Sequence, residues 1–275
     1  MHDALPIPVN TPDMDVSPGF WHRFGQHLLR GIRLAGDGIT TAIESVDKDL
    51  RRDLLQMPLL GLTVLGPREA PIRARPDDGH RPIVFLHGLG GHRGNFLPMR
   101  GWLGLHGRRR GYAIGMTPGV SLATLGRELS VVIEEILAIN GLSEDGQVDI
   151  VAHSMGGVVA RLAMLELTTL QRVHTLITLG TPHAGTQLAR LGGTDRCHDL
   201  RPDSPVMAAL AMQTPWRGPA RLICLWSASD PIMQPAETAM VDGAESRMMA
   251  AHNHTDYLLK KSVWKVVLTD LNRAC

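Results

Sequence analysis

A serine at position 154 stands in the run Val148-Asp-Ile-Val-Ala-His-Ser-Met-Gly-Gly157. The apolar residues before it predict a strand over 148–152, and those after it predict a helix over 155–170. A serine on the sharp turn between them occupies the strand–turn–helix setting of a nucleophile elbow, in the form Ala152-x-Ser154-x-Gly156. Such a turn lifts the hydroxyl above the edge of a sheet. It also aims the free N–H groups and positive dipole end of the helix at developing negative charge. The residues two before and two after the serine must be small, because the turn presses them against neighbouring backbone. Ala152 departs from the glycine of G-x-S-x-G but keeps that smallness. The plainer alternative is a buried serine at an ordinary helix N-cap.

A serine hydroxyl needs a base, and the base needs an orienting carboxylate. On such a framework the chain order is Ser, then Asp or Glu, then His. Asp230 follows the apolar run Leu222 to Trp226, a predicted strand. It therefore falls where open α/β sheets place their ligand chemistry. A turn aspartate before Pro231 is its plain alternative, and Asp199, Asp203, Asp242 and Asp256 are rivals that follow no comparable strand. For the base, His252 and His254 are both available within three residues. The oxyanion needs two backbone N–H donors. Met155, after the nucleophile, supplies one. The other falls in His87-Gly-Leu-Gly-Gly91, directly after the strand-like Ile83 to Leu86. There Gly88 and Gly90 let the backbone approach a scissile carbonyl, and Leu89 is the expected donor. His87, Ala152, His153 and Gly156 complete the loop and elbow as supporting residues.

The elements that must position these groups alternate along the chain. Strands are predicted at Ile83 to Leu86, Ala113 to Met116, Val148 to Ala152, Val173 to Leu179 and Leu222 to Trp226. Helices are predicted at 122–139, 155–170 and 263–271. Near-continuous apolar strands separated by helices imply a mostly parallel sheet covered on both faces. Residues 66–275 suffice for this catalytic domain, opened by a Pro- and charge-rich linker over 66–82, with 187–219 as a small cap. Residues 1–65 form an extension, irregular over 1–19 and then helical. From Phe20 to Leu54 its apolar positions recur near a 3.6-residue period, and Pro58 ends it. Packing on the main domain is the expected role of this arm, with peripheral membrane contact as the sharper alternative.

Composition removes other classes. Lys+Arg 28 against Asp+Glu 27 gives a formal net charge of +1, which leaves no footprint for nucleic acid. Aromatics at 4% leave little for a base- or sugar-stacking surface. The one dense basic cluster, Arg108-Arg109-Arg110, reads as a solvated surface turn. Three cysteines, Cys197, Cys224 and Cys275, form neither a disulfide framework nor a metal knuckle, and Cys224 reads as core. The chemistry asks for no metal and no organic cofactor. With no basic segment leading an apolar one at the N-terminus and no run long enough to span a bilayer, a cytoplasmic protein without a transmembrane span is expected.

Taken together, His87-Gly-Leu-Gly-Gly91, Ala152-His-Ser-Met-Gly156, Thr181-Pro-His-Ala-Gly-Thr186 and the Asp230/His254 pair resemble the bacterial α/β-hydrolase lipases and esterases. The small Bacillus-type triacylglycerol lipases, which also carry Ala before His-Ser, are particularly similar. The resemblance covers roughly residues 82–271. It implies an α/β-hydrolase fold and a cofactor-free serine hydrolase acting on small apolar carboxylic esters. The same triad also serves thioesterases, amidases and acyltransferases, and a non-catalytic binding module on the same fold is the remaining alternative. The segment Val241-Asp-Gly-Ala244, followed at the matching distance by His254, resembles the family's histidine loop, and that spacing selects His254 over His252. Pro182-His183 is assigned structure rather than chemistry. The helical arm before Gly66 and the 187–219 segment are additions relative to the smallest members.

Overall fold

The computed structural model of the protein describes residues 72–142 and 144–273. The arm expected over residues 1–65 and Cys275 lie outside the described residues. Six strands form one parallel sheet. In chain order they are β1 Ile83–Leu86, β2 Gly111–Ile114, β3 Val148–His153, β4 Val173–Leu179, β5 Arg221–Trp226 and β6 Glu245–Met248. Their spatial order is β2-β1-β3-β4-β5-β6, every neighbouring pair parallel.

The connections are helical. They are α1 Leu97–Leu105, α2 Leu122–Ile139, α3 Met155–Ala163, α4 Leu167–Arg172, α5 Asp195–Asp199, α6 Pro205–Ala211, α7 Asp256–Leu259 and α8 Lys261–Leu271. Alternate strand residues feed two cores. Val84, Leu86, Ile150, Ala152, Leu176 and Cys224 pack with α2 and α3 on one face. Phe85, Val151, Ile177, Leu179, Ile223 and Leu225 pack with α1, α7 and α8 on the other. The period of two along each strand thus puts one apolar set on each side of the sheet. Burial of each such aliphatic side chain contributes roughly 1.5–3 kcal/mol before chain entropy is counted. The fold class expected from the apolar pattern is the one observed.

Four local readings change. The predicted strand Ala113 to Met116 begins two residues earlier, because pairing Ile83 with Gly111 and Leu86 with Ile114 fixes its register. The single helix expected over 155–170 stops at Ala163, and after a turn α4 starts at Leu167. The chain must reverse there to reach Val173, which pairs with Val148 at the start of β3. β6 went unpredicted. It is an edge strand whose residues are mostly exposed, so it carries no apolar run. The largest change concerns Arg108, expected on a solvated turn. Its side chain is buried, and Nη2 donates to Asp149 Oδ2 at 2.9 Å. Asp149 is itself fully buried on β3. A second Arg108 nitrogen donates to the Leu271 carbonyl at 2.9 Å, tying the last helix to the base of the sheet. Arg110 is buried as well.

The 187–219 segment is helical, built from a 3-10 turn at Gln187–Leu191 and from α5 and α6. Asp199 Oδ2 accepts from Leu122 N at 3.0 Å at the start of α2. Arg161 of α3, almost fully buried, donates to the Leu210 carbonyl at 2.8 Å. The segment is therefore bonded to two of the helices that cover the sheet.

Candidate active site

Ser154 sits at the C-terminal end of β3 with φ 54° and ψ −127°, in the left-handed region that a non-glycine residue rarely adopts. Surrounding bonds hold the turn there. Ser154 N donates to the Leu179 carbonyl at 2.9 Å. Thr181 Oγ1 donates to the Ser154 carbonyl at 2.9 Å. Ser154 makes no side-chain capping bond to α3, so the hydroxyl is not spent as an ordinary N-cap. Close approach explains the small neighbours. A Cβ on Gly156 would lie 2.6 Å from the Leu86 carbonyl oxygen and 2.8 Å from that of His87. Ala152 is fully buried, in register between Leu86 of β1 and Thr178 of β4.

The glycine loop after β1 lies against the serine. A Cβ on Gly88 would sit 2.9 Å from Ser154 Cβ and 3.3 Å from its Oγ. Gly91 N donates to the Gly88 carbonyl at 3.1 Å, and Gly90 takes φ 64°, so the loop is a tight turn that needs glycine. Leu89 projects from this turn and packs partly buried against the α2–α3 core. His87 Nδ1 bonds the Gly88 carbonyl at 2.9 Å, bracing the same turn from below. Met155, the first residue of α3, is buried directly after the elbow.

Asp230 and His254 meet beside this turn, although 24 residues separate them. His254 Nδ1 lies 2.9 Å from Asp230 Oδ2, both side chains being buried. The other carboxylate oxygen accepts from Ile232 N at 2.9 Å, which fixes the carboxyl plane. His254 also stands edge-on to the buried Tyr257 ring, with centroids 6.4 Å apart. His252 points elsewhere: Nε2 lies 3.0 Å from Ser262 Oγ and Nδ1 lies 2.7 Å from the Ala250 carbonyl. The rival aspartates have other partners or face solvent. Asp199 binds the start of α2, Asp203 pairs with Arg190 at the surface, Asp256 pairs with Lys260, and Asp242 is exposed.

Two contacts had no counterpart in the sequence reading beyond the residue types themselves. His153, adjacent to the serine, places Nε2 3.0 Å from the His254 carbonyl, and its ring lies tilted against the His254 ring with centroids 4.6 Å apart. The elbow and the histidine loop are thereby joined directly. Thr181 is the second, through its bond to the elbow carbonyl. The run Thr181 to Thr186 drew notice only as part of a resemblance. His183 is buried and lies 3.0 Å from Thr178 Oγ1, in keeping with a structural place.

Burial governs the imidazoles around the serine. It pushes His87 down to about 4, against the opposing bond to Gly88. It likewise holds His153 and His183 well below the ordinary histidine range. The same effect pushes the Cys224 thiol up to about 11, which leaves it inert as a nucleophile. The three histidines have a consequence for acid stability. Below the ordinary value of 6.5 the unfolded chain takes up protons that these sites refuse in the folded state. Stability therefore falls as pH falls from about 6.5 toward about 4, with His87 alone accounting for roughly 3 kcal/mol over that window. The expected result is a urea midpoint lower at about pH 5 than at about pH 7.5. An unchanged midpoint would contradict neutral burial of these rings.

Among the described residues no helix is long and apolar enough to cross a membrane. A family model described as the PGAP1-like alpha/beta domain matches residues 118–194, which include the elbow. A GPI inositol-deacylase of Cryptococcus neoformans is 48% identical over 54 residues, 20% of this chain and 7% of that protein. The match thus spans a small part of the relative's length. Among solved structures, Aspergillus fumigatus lipase B superposes with a TM-score of 0.62 at 16% identity, covering 74% of this chain and 55% of the lipase. The mature lipase BlEst2 of Bacillus licheniformis superposes with a TM-score of 0.59 at 19% identity, covering 73% of this chain and 95% of the lipase. The shared architecture is that of the α/β-hydrolases.

Proposed function

Taking the protein as an α/β-hydrolase, we propose that it cleaves carboxylic esters of fatty-acyl type through an acyl-enzyme formed on Ser154. The Ser154 hydroxyl attacks the acyl carbon. His254 takes its proton and returns it to the leaving alcohol. Asp230, bonded to the far nitrogen of the ring, keeps the opposite nitrogen free to accept and stabilises the charged imidazolium. The Leu89 and Met155 amides hold the oxyanion, the second of them at the positive end of α3. Water then attacks the acyl-enzyme by the same proton path. This chemistry uses neither metal nor organic cofactor.

The reading rests above all on the 2.9 Å bond between His254 Nδ1 and Asp230 Oδ2, held beside a serine in strained backbone with the Gly88 turn against it. The partial likeness to a protein named GPI inositol-deacylase and the lipase folds support an acyl ester as the bond attacked. A fluorophosphonate probe tests the proposal. The folded protein should be labelled on the peptide that carries Ser154, and prior labelling should abolish turnover of p-nitrophenyl esters. Absence of labelling on folded protein would sink it. A parallel panel of acyl-CoA, anilide and glyceride substrates separates an esterase from a thioesterase, amidase or acyltransferase, because pocket rather than triad sets the leaving group.

A further inference from the structure

Away from Ser154, a cleft of about 280 Å³ opens between α1 and the β1–β2 side of the sheet. None of the residues placed around the serine lines it. Four arginines do, Arg75, Arg100, Arg108 and Arg109, with Phe85 and Leu97 as an apolar wall. No carboxylate belongs to the lining. The charge of Arg108 is answered by Asp149. Among the described residues no carboxylate lies within ion-pair distance of the other three guanidinium groups. The nearby acids are engaged elsewhere: Asp77 pairs with Arg110, and Asp78 accepts from the backbone N–H groups of Arg109 and Arg110.

The wall is built rather than incidental. Gly111 lets Arg100 lie flat on the β2 backbone: a Cβ there would stand 3.0 Å from Phe85 Cε2 and 3.5 Å from Arg100 Nε. Arg100 Nη2 then donates to the Gly111 carbonyl at 2.9 Å. Arg108 is clamped by the Leu271 carbonyl and Asp149. Arg108 is thus spent on the protein itself, which leaves Arg75, Arg100 and Arg109 as the cleft's unpaired guanidinium groups. Burial, with Arg75 and Arg93 close by, pushes the Arg100 guanidinium down to about 10. Clustered guanidinium groups without a counter-charge make an anion the fitting occupant.

We propose that this cleft binds a phosphate-type oxyanion, the guanidinium groups of Arg75, Arg100 and Arg109 gripping its oxygens and Leu97 lying against whatever apolar group it carries. Free phosphate and the phosphate headgroup of a lipid present the same chemistry. The inference does not depend on the ester-hydrolase reading, since the cleft and the serine site share no residue.

Titration calorimetry of the full chain with inorganic phosphate, against sodium chloride of equal ionic strength, is the test. Saturable phosphate binding is expected in the parent, weakened about tenfold or more in Arg100→Gln, which loses a charge-assisted bond. Arg109→Gln, an exposed position, gives a second variant should Arg100→Gln fail to fold. Co-sedimentation with phosphatidylcholine vesicles, with and without phosphatidic acid, separates the sources. Binding to the phosphatidic acid vesicles alone assigns a lipid headgroup, while phosphate binding without vesicle binding assigns a free ion. If neither probe binds, or both bind the variants as tightly as the parent, the proposal is wrong. Turnover of p-nitrophenyl esters by Arg100→Gln should equal that of the parent, so failure of one reading leaves the other standing.

Discussion

Ser154→Ala is expected to lower p-nitrophenyl ester turnover by about 10^4-fold or more and to leave the thermal midpoint close to that of the parent. The two halves of this expectation have separate causes. Loss of turnover follows because neither cysteine among the described residues can replace the serine. Burial holds the Cys224 thiol protonated, its pKa pushed up to about 11, and the Cys197 side chain is buried beside Gly192 in the helical segment. What survives would be the contribution of binding and of the oxyanion donors. Retained stability follows because the serine side chain does no capping work for α3, and alanine meets the same backbone strain at φ 54°. The carbonyl and amide that hold the turn belong to the main chain and survive the substitution. Turnover near that of the parent in a folded Ser154→Ala protein would remove Ser154 from the chemistry.

Asp230→Asn carries the second large effect, an expected loss of roughly 10^3- to 10^4-fold in kcat with KM little changed. Ile232 N donates to Asp230 Oδ1 at 2.9 Å, and this bond orients an amide oxygen as well as it does a carboxylate. The amide nitrogen is then forced into the place of Oδ2, 2.9 Å from His254 Nδ1. Two donors cannot face each other, so the imidazole must move its proton to the nitrogen that should accept from serine. The charge that steadies the imidazolium is lost as well. His252→Gln makes a sharp control, because that ring is bonded to Ser262 and Ala250 rather than to Asp230. Steady-state kinetics of the two variants decide the matter: equal losses in both would overturn the assignment of roles to Asp230 and His254.

The sequence made some of these elements plain and hid others for physical reasons. β3 and β4 are buried on both faces, so most of their positions are apolar or small, and the largely apolar runs Ile150 to Ala152 and Leu176 to Leu179 are visible without a structure. The elbow was legible for a related reason. Gly156 and Gly88 are obliged by close approach to backbone and to the serine, and obligate glycines around one serine leave a pattern. β6 lies at the sheet edge with its side chains mostly in solvent, held by backbone pairing and by ion pairs of Glu245 and Arg247, so it carries no apolar run. Arg108 was misread because a basic triplet looks solvated until its partner is known. That partner, Asp149, sits in an otherwise apolar strand 41 residues away. Residue type alone leaves His252 and His254 open, and only the spacing of the resembled histidine loop favours His254. Two residues apart, they differ in which way the loop turns them, and the loop is set by contacts with Ser227, Asp256 and His153.

The bond from His153 to the His254 carbonyl closes a loop of 101 residues. The chain between the two residues carries β4, β5 and β6, so the contact joins the middle of the sheet to the loop beyond its edge. Contacts of such long sequence separation carry a large loop-closure entropy. The candidate site therefore has no existence in a half-assembled chain. A molecule that has paired only β1, β2 and β3 lacks the Leu179 and Thr181 bonds that hold the elbow, as well as the histidine and the aspartate. On the proposed chemistry, refolding can be timed by the return of turnover rather than by the return of helix.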